Sequence, residues 1–244
     1  MCGIFGFYLN RKLNDDEIEN GKKLLQTIKY RGPDYTGYWY DKDKGIFIGH
    51  NRLSILDLTS NSHQPFKNKD SVLVFNGEIY NYKSIRDSKL KEEKFNTTSD
   101  TEVLSKYLYE YNCKFLDKID GMFSFCFFRD EILTISNDIF SEKTIYYAKA
   151  KEGVYFCSEA GPLIKLLDLK ISKDESIRSQ FMSLGYIIPP MTGFDNLFIT
   201  SQANVITIKK GLIVSNFKYY DFPKLNSYKG KIRQLEKSDI KNIK

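Results

Sequence analysis

From Met122 onward the chain turns purely β. The runs Met122–Arg129, Ile132–Asn137, Thr144–Ala150 and Val154–Ser158 are short, rich in aromatic and β-branched residues, and separated by charged or glycine-containing turns. Two or three hairpins in a row specify antiparallel sheet, so the chain is expected to layer helices on sheets rather than alternate β and α. The first half fits that class. Cys2–Leu9 (CGIFGFYL) reads as a buried strand whose glycines permit close backbone approach, and further strands are expected at Gly37–Asp41, Gly45–Leu53 and Val72–Phe75. Apolar spacing predicts helices at Asp15–Ile28, Ile79–Leu90 and Thr101–Tyr111, with Ser99 or Asp100 capping the last of them. Helical pattern returns at Gly161–Leu167 and Asp174–Leu184, and Val205–Ile208 with Leu212–Val214 reads as a hairpin around Lys210–Gly211. Pro189–Pro190 and Gly193 break regularity, which puts the expected edge of the main domain within 165–195. The tail Ser227–Lys244 is lysine-rich and opens a polar pattern compatible with a helix.

With 244 residues, 41% hydrophobic and 15% aromatic, the chain holds enough apolar material for one large core, or for a main domain and an appendage. The net charge of +6 comes from scattered lysines (Lys22, Lys42, Lys67, Lys83, Lys149, Lys209), not from the basic stripe of a nucleic-acid binder. No nucleic-acid partner is therefore expected. The cysteines at 2, 113, 126 and 157 form no CxxC pair, so neither a disulfide framework nor a zinc knuckle is indicated. Cys126 and Cys157 sit in apolar runs as small buried hydrophobes. His50 and His63 are too few to build a metal centre, and both read as structural. No apolar run approaches the ~20 residues of a membrane helix and no signal peptide is visible, so no membrane partner and a cytoplasmic location are expected.

Cys2 stands out chemically. Removal of Met1 before a small residue would leave it with a free α-amine, which titrates near pH ~8 and can act as a base for the neighbouring thiol. Taken alone, a cysteine at position 2 reads as a strand residue without a role. Asn76–Gly77 follows an apolar strand and offers a side-chain amide and a backbone N–H to a developing oxyanion. The same dipeptide is also the commonest hairpin turn. Arg52 ends a strand and suits a bidentate grip on a carboxylate, or a surface ion pair with Asp57. Asp100 could bind an ammonium or cap the helix at Thr101.

These positions lie within MCGIFGF, RGPDYTG, HNRLSILDLTSNSHQPF, VFNGEIYNY, TTSDTEVL, DGMFSFCFFRD and FCSE, which run in order from Met1 to about Leu167. In this order and spacing they resemble the class II glutamine amidotransferases of the N-terminal-nucleophile hydrolases. The likeness is closest to the glutaminase domain of glutamine-hydrolysing asparagine synthetase. The resemblance implies an α+β fold, a four-layer αββα sandwich of two antiparallel sheets between helical layers. It implies a glutaminase domain over 1–167 and, over 168–244, an extension toward a synthetase domain. It makes Cys2 the nucleophile, with Asn76 and Gly77 as the oxyanion hole. Arg52 would bind the α-carboxylate of glutamine, Glu78 and Asp100 its α-ammonium, and Leu53, Ile55 and Leu56 would line the pocket. The implied activity is hydrolysis of glutamine to glutamate and ammonia, the ammonia serving asparagine synthesis or a related amidation.

The chain departs from the family pattern at several places. Tyr30 stands where His usually precedes Arg-Gly-Pro-Asp, Ser141 and Thr144 stand at common Gly and Pro positions, and Ser201–Ala203 replaces Pro-Pro-Gly. No SGGxDSS-like phosphate loop is present. These residues are thus expected to need no cofactor, with ATP and Mg confined to a synthetase domain or subunit outside them. A truncated or split-gene glutaminase component is the expectation, and a homodimer is compatible with it.

Overall fold

The computed structural model of the protein describes residues 1–222. Its strands form two six-stranded sheets, antiparallel throughout. The first contains β1 (Gly3–Leu9), β2 (Tyr35–Asp41), β3 (Ile46–Arg52), β8 (Tyr146–Ala150), β9 (Gly153–Cys157) and β10 (Leu197–Ile199), in the order β10-β8-β9-β1-β3-β2. The second contains β4 (Phe66–Asn68), β5 (Ser71–Ile79), β6 (Gly121–Arg129), β7 (Ile132–Asn137), β11 (Asn204–Lys209) and β12 (Leu212–Lys218), in the order β12-β11-β7-β6-β5-β4.

Alternation along the strands builds the layers. In β1 and β3, Ile4, Tyr8, Ile46 and Ile48 point inward to meet Val74, Cys126, Phe128 and Ile135 of the second sheet. Their neighbours Phe5, Phe7, Leu9 and Phe47 point outward, onto Ile18 and Leu25 of helix α1 (Asp15–Thr27). Leu163, on helix α4 (Ala160–Leu166), joins the same outer cluster. On the far side Leu73, Phe75, Phe123, Phe125 and Phe127 receive Val103, Leu104, Tyr107 and Leu108 of helix α3 (Asp100–Tyr111). The shorter α2 (Tyr82–Ser88) packs beside α3 through Ile85. The result is the expected αββα layering. Helix α5 (Glu175–Leu184) leaves Phe181 and Met182 exposed. Among the described residues no helix is long and apolar enough to cross a membrane.

Several local expectations are corrected. The run of hairpins is shared between the two sheets: β6–β7 belongs to the second and β8–β9 to the first. The switch is made by the loop after β7, where the buried Asp138 carboxylate accepts from the backbone N–H of Phe140, Glu142 and Lys143 at 3.0 Å each. The strand expected over Val72–Phe75 continues to Ile79, and the helix expected from Ile79 shrinks to α2 because Ile79 and Tyr80 donate to Asp100 and Asp120 instead. β10 pairs with β8 and β11 with β7, so residues 168–222 contribute strands to both sheets. Pro189–Pro190 and Gly193 lie in the connection between α5 and β10. The tail expectation at Ser227–Lys244 lies outside the described residues.

Candidate active site

Antiparallel pairing of β1 with β3 sets Gly3 against Asn51, so the start of one strand meets the end of the other. Cys2 and Leu53, 51 positions apart, are thereby brought into contact: the Cys2 Sγ accepts from the Leu53 N–H at 3.4 Å and reaches the Leu53 carbonyl at 3.7 Å. By parity with Ile4, Ile46 and Ile48, the side chains of Cys2, His50 and Arg52 turn toward the second sheet. Asn76 shares the parity of Val74 and turns toward the first. All four sit at one end of the sandwich, where the inter-sheet core opens into a cleft.

The buried His50 crosses between the sheets, its Nε2 donating to the Phe75 carbonyl at 3.0 Å. Burial pulls its pKa down to about 3, which keeps the ring neutral.

About 620 Å³ of empty space, the open solvent at its mouth included, lies within and over the cleft. Every residue expected at the site lines it: Cys2, Arg52, Leu53, Ile55, Leu56, Asn76, Gly77, Glu78 and Asp100. Ile55, 67% exposed, stands at the mouth.

The wall formed by β5 has one unusual property. β4 begins at Phe66, opposite Leu73, so the rest of β5 has no strand neighbour on that side. Side chains cap the donors at this open edge. Gln64 Oε1 accepts from the Phe75 N–H at 2.6 Å, and Asp100 Oδ2 accepts from the Ile79 N–H at 3.0 Å. Strand alternation turns the Gly77 N–H to the same edge, between the two capped donors and facing the cleft. Gly77 also has φ +155°, and an added Cβ would lie 2.1 Å from the Met122 carbonyl, so no other residue fits there. Asn76–Gly77 is therefore not the hairpin turn that the dipeptide alone favours.

Arg52 does not pair with the Asp57 carboxylate. Its guanidinium donates to backbone carbonyls of the loop that follows β3: Thr59 at 3.0 Å, Leu56 at 3.2 Å, and Asp57. Asp57 instead ties this loop to the approach of α3, accepting from the Thr98 N–H at 2.9 Å. Hydrogen bonds, those of Thr59 foremost, hold the Asp57 carboxyl well below the usual range. Ser99 is the cap of α3, its hydroxyl accepting from the Thr101 N–H at 3.0 Å, which leaves Asp100 for the cleft. Burial, with Glu78 adding, raises the Asp100 pKa to about 6 against the opposing bonds from Ile79, Thr101 and Ser99.

The motif RGPDYTG acquires physical content here. Arg31 Nε donates to the Cys2 carbonyl at 3.0 Å. Gly32 backs onto β3 so closely that a Cβ would lie 2.3 Å from the Asn51 carbonyl. Asp34 accepts from the Ser54 N–H at 2.7 Å. Gln64 and Ser62 also line the cleft unanticipated, as do Thr101, Met122 and Lys143. Their only signal was membership of the matched stretches, or proximity to them.

Burial pushes the Cys2 thiol above its ordinary value, while the Leu53 backbone, the chain's amino terminus, Arg52 and Arg31 pull it back. A largely protonated thiol, an unpaired backbone N–H and a side-chain amide on one cleft can together attack and hydrolyse an amide, given a base.

The chain is similar to several known proteins. Asparagine synthetase [glutamine-hydrolyzing] 1 of Bacillus subtilis is 37% identical over 199 residues, covering 79% of this chain and 31% of that protein. A putative asparagine synthetase [glutamine-hydrolyzing] 2 of Methanocaldococcus jannaschii is 30% identical and covers 91% and 47%. The chain thus spans less than half the length of these relatives. The glutamine phosphoribosylpyrophosphate amidotransferase of Bacillus subtilis shares the fold, with a TM-score of 0.62 at 15% identity over 90% of this chain and 49% of that one. The family profile described as "Glutamine amidotransferase domain" matches residues 1–220. On that match, which takes in nearly all of the described structure, the chain belongs to the glutamine amidotransferase domain family.

Proposed function

We propose that this domain hydrolyses free glutamine through Cys2 and supplies the ammonia for asparagine synthesis from aspartate. The observation that carries the reading is the single cleft that gathers Cys2, Arg52, Asp100 and the open β5 edge at Gly77. Loss of Met1 exposes the α-amine of Cys2, which takes the thiol proton as sulfur attacks the γ-amide carbon. Asn76 Nδ2 and the Gly77 N–H receive the oxyanion. Collapse breaks the C–N bond, the amine's proton leaves with ammonia, and a glutamyl thioester remains. Water then releases glutamate and restores the thiol. Arg52 holds the α-carboxylate, Glu78 and Asp100 the α-ammonium, and Leu53, Ile55 and Leu56 close around the chain of the substrate.

Free glutamine, with both charges, is thereby preferred over a protein-bound amide. Activation of the acceptor by ATP and Mg is assigned to a synthetase portion outside these residues. The relatives named as asparagine synthetases support that acceptor.

The test is Cys2→Ala, measured by glutamate release and by glutamine binding. Binding is expected to persist while turnover disappears. Turnover retained in that variant would overturn the mechanism.

A further inference from the structure

Two residues of the matched stretches, Arg31 in RGPDYTG and Glu159 in FCSE, line no part of the cleft. They nevertheless meet behind the nucleophile. Arg31 Nε donates to the Cys2 carbonyl at 3.0 Å, and its terminal nitrogen bonds Glu159 Oε1. Both side chains are largely withdrawn from solvent, at 13% and 33% exposure.

Strand geometry explains why this contact is needed. Residue Ile4 exchanges bonds with Ser158 on the β9 side: the Ser158 N–H donates to the Ile4 carbonyl at 2.8 Å, and the Ile4 N–H to the Ser158 hydroxyl at 2.9 Å. The Cys2 carbonyl has the same parity and points to the same side. There the chain has already turned into α4, so no strand remains to receive it. Arg31 takes the place of the missing ladder partner. Glu159 stands at the N-cap position of α4, yet its side chain makes no capping bond and goes to Arg31 instead. The contact is to the carbonyl of Cys2, not to its nitrogen, so it survives removal of Met1.

Accordingly we propose that Arg31 and Glu159 form a positioning pair for the nucleophile. They fix the peptide plane after Cys2, and so fix where the thiol and the new α-amine stand relative to Asn76 and Gly77. This rests on the reading of Cys2 as nucleophile. The pair touches no substrate and therefore acts on turnover rather than on binding.

Kinetics of Met1-processed protein test it. Arg31→Met is expected to lower kcat for glutamine roughly 10- to 100-fold with KM within about twofold, since displacement of a reacting group by an ångström costs rate on that scale. Arg31→Lys is expected to recover little, because one ammonium cannot serve a carbonyl and a carboxylate from one plane. Glu159→Gln should lose less, and Arg31→Met/Glu159→Gln should be no slower than Arg31→Met alone. Should Arg31→Met fail to fold, Arg31→Lys and Glu159→Gln carry the same split. Unchanged kcat in the folded variants, or a loss confined to KM, would overturn the pair's role. If Cys2→Ala itself remained active, the nucleophile reading would fall first, whatever the Arg31 variants did.

Discussion

On one side of the cleft, β5 is a nine-residue strand paired along its length with β6. Its outer donors at Phe75 and Ile79 are capped by Gln64 and Asp100, so the Gly77 N–H between them is held by a ladder that cannot relax locally. On the other side, the loop after β3 has no ladder. Arg52 gathers its carbonyls, and the Asp57–Thr98 bond ties it to the approach of α3. A group that stabilises charge forming in the transition state gains most from a position fixed in advance. A group that recognises the ends of a substrate can sit on a segment of lower local stability. On the proposed mechanism the two walls divide along that line, the strand serving the chemical step and the loop serving binding.

The largest effects should come from the strand wall. Gly77→Ala must move the Met122 backbone as well as abandon φ +155°, so turnover is expected to fall more than about 10³-fold with a stability loss of about 2–4 kcal/mol in denaturant unfolding. Asn76→Ala isolates the electrostatic part: kcat falls about 10²- to 10³-fold at nearly constant KM. A rise in KM with kcat preserved would dissolve the distinction between the walls. The loop wall should answer in the opposite way. Arg52→Ala removes charged hydrogen bonds worth about 2–3 kcal/mol, so KM for glutamine should rise some 30- to 100-fold while kcat changes far less. The same variant should open the loop to proteolysis near Leu56–Thr59, since Arg52 is what collects those carbonyls.

What the sequence disclosed follows from the range of the forces concerned. Cys2–Leu9 could be read as a buried strand because its apolar run is local, and the sandwich layering followed from the resemblance. Asn76–Gly77 could not be resolved locally, because the turn preference of the dipeptide competes with pairing to Ser124 and Phe123, more than forty positions away. Likewise Ser99 and Asp100 were interchangeable as caps until Ile79 was brought to the Asp100 carboxylate. The sheet switch after β7 depends on the Asp138 carboxylate closing a loop on itself, a tertiary event that periodicity does not encode. Gln64 and Arg31 lay inside quoted stretches without a role, since capping Phe75 and holding the Cys2 carbonyl require the topology first.

Asp100 sharpens the comparison because it caps Ile79 with one oxygen and lines the cleft, where the proposed mechanism gives its charge to the ammonium. Asp100→Asn keeps an acceptor for the cap and removes only the charge, so KM should rise about tenfold with kcat nearly intact. The sign of the pH dependence is fixed by the pKa raised to about 6. A carboxyl raised above its unfolded value of about 3.9 favours the folded state fully below that pH and loses this contribution as pH rises through about 6. Wild-type stability should therefore decline between pH 4 and pH 7 by on the order of 2 kcal/mol from this group, and Asp100→Asn should abolish that slope. Binding should run the other way, since only the carboxylate attracts an ammonium. KM for glutamine should climb as pH falls below 6 and level off about tenfold above its neutral-pH value, and it should stay flat in Asp100→Asn. If the variant kept the wild-type slope in KM, the ammonium would be held by another group, and Asp100 would belong to the strand wall alone.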